Sequence, residues 1–177
     1  MQGTASDDVV IRTVRSDEWP QWRDVRLRML RDDAAFFSSR YDDAVREPDE
    51  SWRTWVTEAA AGTAKTLLCA DDGSPGWLGV VGGFVRVDPT QAQLISMWVA
   101  PEARGRGVAQ ALIRELAGWA VSRGCETIFL FVQEANAPAR ALYERVGFVA
   151  TGDRAPVSGR RGFKLVLSAP AAQLASQ

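Results

Sequence analysis

Val99-Ala100-Pro101-Glu102-Ala103-Arg104-Gly105-Arg106-Gly107-Val108-Ala109 is the stretch on which the reading turns. It follows an apolar run and opens a segment of helical period, so it joins a strand to a helix. Pro101 stops the strand, and from Gly107 onward Val108, Leu112, Leu116 and Trp119 or Ala120 line one helical face. The first N–H groups of such a helix have no intrahelical acceptor and stand at the positive end of its dipole. A diphosphate is a natural ligand for that cluster. Glycine at 105 and 107 lets a phosphate oxygen reach the backbone with no Cβ in the way, and Arg104 and Arg106 add charge at the rim. The loop lacks the Lys-Ser or Lys-Thr of a Walker loop and the third glycine of a dinucleotide fingerprint. Taken alone, it reads equally well as an ordinary turn with two glycines.

The segments around the loop fit one α/β domain over 9–168, with a flexible N-terminus at 1–8 and a small, polar, frayed tail over 169–177. Val9 to Val14 reads as a strand. Ser16 offers an N-cap to a helix with Trp22, Val25, Met29 and Leu30 on one face. Asp32 to Glu47 reads as a loop or short irregular helix, and Pro48 and Asp49 open a helix that Gly62 ends. Lys65 to Ala70, Trp77 to Val87 and Gln91 to Val99 form an antiparallel meander. Beyond the loop helix come a buried strand, Glu126 to Val132, and a helix from Asn136 to about Val146. Two closing strands follow, Phe148 to Thr151 and Gly162 to Leu167.

Composition narrows the chemistry. The chain has 177 residues, 46% hydrophobic and 24% charged, the balance of a soluble globular protein. Its net charge of -1 and the absence of a basic binding motif argue against nucleic acid or an anionic membrane as partner. No apolar run approaches the roughly 20 residues of a membrane helix, and no secretory signal opens the chain. Cytoplasmic residence is the expectation. The chain has no histidine, which removes His triads, His bases and His metal ligands; no metal is expected. Cys69 and Cys125 read as buried free thiols without an activating base.

Two motifs together carry a resemblance. Arg104-Gly105-Arg106-Gly107-Val108-Ala109 matches the Q/R-x-x-G-x-G/A signature of the GNAT acetyltransferase superfamily. Downstream, Asn136-Ala137-Pro138-Ala139-Arg140-Ala141-Leu142-Tyr143-Glu144-Arg145-Val146-Gly147-Phe148 resembles that family's N-x-x-A-x-x-L-Y-x-x-x-G-F pattern. The likeness covers nearly the whole chain, and Ala109 stands where many members have glycine. It implies a mixed, mainly antiparallel central sheet flanked by helices and splayed between the fourth and fifth strands.

The resemblance implies acetyl-CoA as cosubstrate and a primary amine of a small molecule or peptide as acceptor, joined by direct attack in a ternary complex. The pantetheine arm would lie along Trp98 to Ala100, and the backbone of Arg104, Gly105, Arg106, Gly107, Val108 and Ala109 would hold the pyrophosphate. Asn136 and Ala139 would complete the cofactor site. The Val99 N–H would act as an oxyanion-hole donor, worth roughly 3 kcal/mol. Tyr143 would protonate the leaving thiolate, although helical period alone assigns it to the core with Ala139, Leu142 and Val146. Asn136 is also a good N-cap, and Arg140 and Arg145 are either near a 3′-phosphate or a solvated face.

The general base is open. Many relatives carry a Glu early in the central strand, where this chain reads Gln91-Ala92-Gln93-Leu94-Ile95-Ser96. A water chain, Glu134 or a backbone carbonyl route remains. The missing carboxylate also keeps open a non-catalytic acetyl-CoA sensor. The acceptor is expected between the loops Asp32–Glu47 and Arg154–Arg161, whose acids and aromatics suit a small cationic amine or merely solvate a loop. Trp52, Trp55 and Trp77 read as core. The resemblance also admits a homodimer, with no segment marking an interface.

Overall fold

The computed structural model describes residues 9–159 and 161–177, so the expected flexible segment 1–8 lies outside the described residues. Seven strands form one sheet in the order β1-β2-β3-β4-β5-β7-β6. They are β1 (Val10–Thr13), β2 (Lys65–Asp71), β3 (Gly79–Val85), β4 (Gln91–Val99), β5 (Thr127–Gln133), β6 (Val149–Pro156) and β7 (Phe163–Pro170). Every neighbouring pair is antiparallel except β4 and β5, which run parallel. The expected mixed, splayed sheet is therefore the observed one. The helices are α1 (Trp19–Asp32), α2 (Tyr41–Arg46), α3 (Asp49–Ala61), α4 (Val108–Ser122), α5 (Ala137–Arg145) and α6 (Ala171–Ala175).

α1 buries Trp22, Val25, Met29 and Leu30, the stripe its period dictates. Its entry differs from the reading. Ser16 makes no cap, because Ser16–Glu18 is a 3-10 turn and the helix starts only at Trp19. Glu18 closes the 3-10 turn instead: its carboxylate accepts the Arg15 N–H at 2.7 Å and two bonds from Arg12 at 2.9 and 2.7 Å. Arg12 also donates to Asp71 on β2, so one guanidinium ties the helix entry to two strands. That pairing holds the Glu18 carboxyl below its ordinary pKa.

The segment Asp32–Glu47 contains a 3-10 turn at Ala34–Phe36 and the short α2. α3 ends at Gly62 with φ 65°, as expected. α4 lies close against β3: a Cβ at Gly83 would meet Leu116 Cδ1 at 2.6 Å, so only glycine allows that approach. The tail is not frayed. β7 continues to Pro170, and α6 follows with Ala171 and Leu174 buried. Ala171 and Leu174, three apart, form a small apolar face that packs on α4. Cys69 and Cys125 are free and buried, and burial pushes the Cys69 thiol up to about 12.

A bulge distorts β4. Between the pairs Val80/Trp98 and Gly82/Ile95, Ser96 and Met97 oppose one residue of β3. Ser96 has φ 52°, a left-handed conformation rare for residues with a Cβ.

Candidate active site

The parallel contact between β4 and β5 is short. It spans Gln91–Gln93 against Thr127–Phe129, after which β5 stays paired with β7 along its whole length. From Leu94 onward β4 has no strand on that side. The gap opens into a cleft of about 590 Å³. One wall is Met97, Trp98 and Val99; α5 supplies Pro138, Ala139, Leu142 and Tyr143 opposite; the loop Ala103–Ala109 closes one end. The Ala100 N–H donates to Leu78 C=O at 2.9 Å, so strand alternation turns the Val99 peptide groups to the open side. Consistent with that direction, the Val99 C=O accepts from Arg104 Nε at 3.0 Å, across the loop rather than across the sheet.

The loop has the form its glycines require. Gly105 and Gly107 adopt φ 77° and 80°, and no protein atom lies within 4 Å of a Cβ built on either. Their role is the left-handed backbone and the open space above it. Gly107 caps α4, whose first internal bond is Ala111 N–H to Gly107 C=O. The N–H groups of Val108, Ala109 and Gln110 thus have no intrahelical acceptor, and these residues line the cleft. This is an anion cradle built from main chain.

Ten of the eleven residues expected around the cofactor line this one cleft: Trp98, Val99, Arg104, Gly105, Gly107, Val108, Ala109, Asn136, Ala139 and Tyr143. Arg106 is not on the lining. Arg104 is already engaged, donating to Asp33 Oδ2 at 2.9 Å, and the same oxygen accepts Trp98 Nε1 at 2.9 Å. Asp33 therefore locks loop and strand together. Asn136 caps α5, its Oδ1 accepting the Ala139 N–H at 3.2 Å. Arg145 reaches the cleft, whereas Arg140 donates to the Glu134 C=O and is off the lining.

Tyr143 answers to both descriptions given by its sequence. It is buried, packs edge-on against Phe148 at 5.6 Å, and lines the cleft. Burial raises the pKa of its phenol, which stays protonated at neutral pH. Its hydroxyl has no hydrogen-bond partner among the described residues, leaving a donor for a ligand.

A second cavity of about 990 Å³ adjoins the first across Phe37 and the Ser96–Met97 bulge. It is bounded by α1, the segment Ser38–Glu47, α3 and the β6–β7 turn at Ser158 and Gly159. The loop Asp32–Glu47 is thus divided: Asp33, Phe36 and Phe37 face the cleft, and Ser38 to Glu47 face the second cavity. Trp52 is in the core as expected and Trp55 packs against it; both also contribute to this wall, and Trp55 stacks on Trp22 at 5.3 Å. Trp77 is buried and lies on neither wall.

Arg26 lines the second cavity too. It donates to Ser39 Oγ at 3.1 Å, and burial lowers its pKa from the ordinary 12.5 to about 10. Sequence reasoning passed over Arg26 and took Asp33 only as one acid of the loop beside the acceptor. The signal for Arg26 was its place at i+4 from Trp22 and i−4 from Leu30, a charge inside an apolar stripe. The one carboxylate considered as a base, Glu134, is paired with Arg154 at 2.6 Å.

A splayed sheet, free main-chain N–H groups at the start of α4 and a buried phenol thus meet around one cleft. The model of the acetyltransferase (GNAT) family matches residues 12–148, and the chain belongs to that family of enzymes. Solved structures share the fold. An acetyltransferase of the GNAT family from Streptococcus pneumoniae superposes with a TM-score of 0.77 at 19% identity, covering 92% of this chain and 99% of that one. Spermidine N-acetyltransferase from Vibrio cholerae, in complex with CoA and spermine, gives 0.74 at 16% identity, over 96% and 99% of the two chains. YncA from Salmonella typhimurium, solved with acetyl-CoA, gives 0.74 at 17% identity, over 93% and 94%.

Proposed function

We propose that this enzyme transfers the acetyl group of acetyl-CoA to a primary amine of a small molecule or peptide, by direct attack in a ternary complex. The observation that supports it most is the pairing of two groups across one cleft: the outward Val99 peptide on β4 and the unpartnered Tyr143 phenol on α5. The pyrophosphate binds the N–H groups from Gly105 to Ala109, and the pantetheine arm lies along Trp98 to Ala100 between Asn136, Ala139 and Tyr143. The acceptor enters from the second cavity.

The free amine attacks the thioester carbon, and charge develops on the carbonyl oxygen. The Val99 N–H donates to that oxygen, worth roughly 3 kcal/mol in the transition state. As the C–S bond breaks, Tyr143 donates its proton to the departing sulfur. A phenol of raised pKa is held in the protonated form this step needs. The ammonium's proton leaves through water, because the cleft presents no unpaired carboxylate base on β4.

Release of free CoA thiol from acetyl-CoA, measured over polyamines, amino acids, aminoglycosides and short peptides, tests the reading. Amine-dependent release is expected. Tyr143→Phe should lower kcat by about 10²–10⁴ with acetyl-CoA affinity nearly kept. A variant with the wild-type rate removes Tyr143 from the mechanism. Silence across the panel, from protein that acetyl-CoA stabilises against heat, favours a sensor.

A further inference from the structure

The second cavity holds a guanidinium, Arg26, with no ion-pair partner within 4 Å among the described residues. Its hydrogen-bond partners are neutral hydroxyls, Ser39 Oγ at 3.1 Å and Ser96 Oγ at a marginal 3.5 Å. The faces of Phe37 and Trp22 flank it at 5.3 and 6.0 Å. Several other arginines are ion-paired: Arg12 with Glu18 and Asp71, Arg28 with Glu102, Arg104 with Asp33, Arg154 with Glu134. A guanidinium removed from water without a counter-charge is costly, and a bidentate carboxylate is the group whose geometry fits it. The cavity also carries Asp43 and Glu47, suited to a cation, and the Trp22–Trp55 stack, suited to an apolar group.

We propose that Arg26 is the specificity-determining residue of the acceptor site, pairing with a carboxylate carried by the amine, so that the acceptor is a small amino acid with an apolar or aromatic side chain. The proposal rests on the transferase reading above. It turns away from a polyamine, whose several positive charges Arg26 repels. Ser96, beside Arg26, lies three residues before Val99 on the same strand, across the bulge. A carboxylate held by Arg26 and an amine directed at the thioester are therefore brought to neighbouring points of one strand. The amine nitrogen bonds to the acetyl carbon, the C–S bond breaks, and CoA leaves as its thiol. One ammonium proton passes to solvent, giving an N-acetyl amino acid.

The experiment compares molecules that differ only at the carboxylate. CoA release is measured with phenylalanine, phenylalanine amide, phenethylamine and spermidine, on wild type, Arg26→Met and Arg26→Lys, each checked for an unchanged melting transition. Phenylalanine should exceed phenethylamine in kcat/KM by on the order of 100-fold, a ratio that falls to near one in R26M and partway in R26K. In parallel, binding of N-acetylphenylalanine and of its amide is followed by quenching of tryptophan fluorescence, which needs no turnover. Arg26-dependent preference for the acid is expected there as well. Wild type that acetylates spermidine or phenethylamine as well as phenylalanine, and binds acid and amide alike, keeps the transferase and overturns the carboxylate site. No turnover of any amine, with Arg26-dependent binding of the acid, keeps the site and overturns the transferase. Should R26M fail to fold, R26K and the acid-to-amide ratio on wild type decide.

Discussion

The two adjoining cavities are built from different materials. The cleft beside β4 draws mostly on main chain, the Val99 peptide, the left-handed Gly105 and Gly107 and the first N–H groups of α4, with the Tyr143 phenol as the side-chain exception. The cavity beside α1 is built from side chains, Arg26 and Trp22 on α1, Asp43 on α2, Glu47 just after it, and Trp52 and Trp55 on α3. Main-chain groups keep their identity when residues change, so the first cavity suits a ligand that never varies. Side-chain groups change with every substitution, so the second suits a ligand that differs between members of one fold.

That contrast can be broken by substitution. The largest expected effect is Gly107→Val. A β-branched residue at φ 80° is strained by about 1–2 kcal/mol and fills the open space above the loop. Acetyl-CoA affinity, read by calorimetry, should fall on the order of 100-fold, with binding of N-acetylphenylalanine in the other cavity kept. Equal losses in both would mean that the cavities are not independent.

The next effect is in pH. The cleft holds an acid, and neither cavity presents a free base at the thioester. Tyr143's raised pKa keeps it protonated below about pH 10, so it adds no alkaline fall there. kcat/KM should therefore climb about tenfold per pH unit, following the free amine fraction, up to the amine's own pKa. A plateau beginning near pH 6–7 would reveal an enzyme base. The smallest effect belongs to Arg106→Ala. Its side chain is off the cleft lining, so acetyl-CoA affinity should change less than about threefold, near the worth of an exposed charge.

Legibility in the sequence followed the same division. The strand-to-helix loop at Gly105 and Gly107 was readable because a glycine pattern in contiguous residues encodes backbone shape directly. The sheet's meander and the Asn136 cap were readable for the same local reason. Arg26 and Asp33 were not. Each looks like any other surface charge until α1, α3 and β4 meet around it, and that meeting is tertiary. The tail misled because small residues read as weakly packing, yet Ala171 and Leu174 need only a narrow face to dock on α4. The splay itself rested on the family resemblance, since no local pattern tells β5 to prefer β7.

The bulge at Ser96 sets the phase of β4. Below it, Gln91 offers its carbonyl to the N–H of Arg86 just past β3, and the odd-numbered residues keep that inward phase. Above it, Ala100 bonds Leu78, and the inward phase has passed to the even-numbered residues. The extra residue is a frameshift written into hydrogen bonds. Remove it, and the Val99 N–H would be spent inside the sheet. One awkward serine thus decides whether this strand is a wall or an instrument.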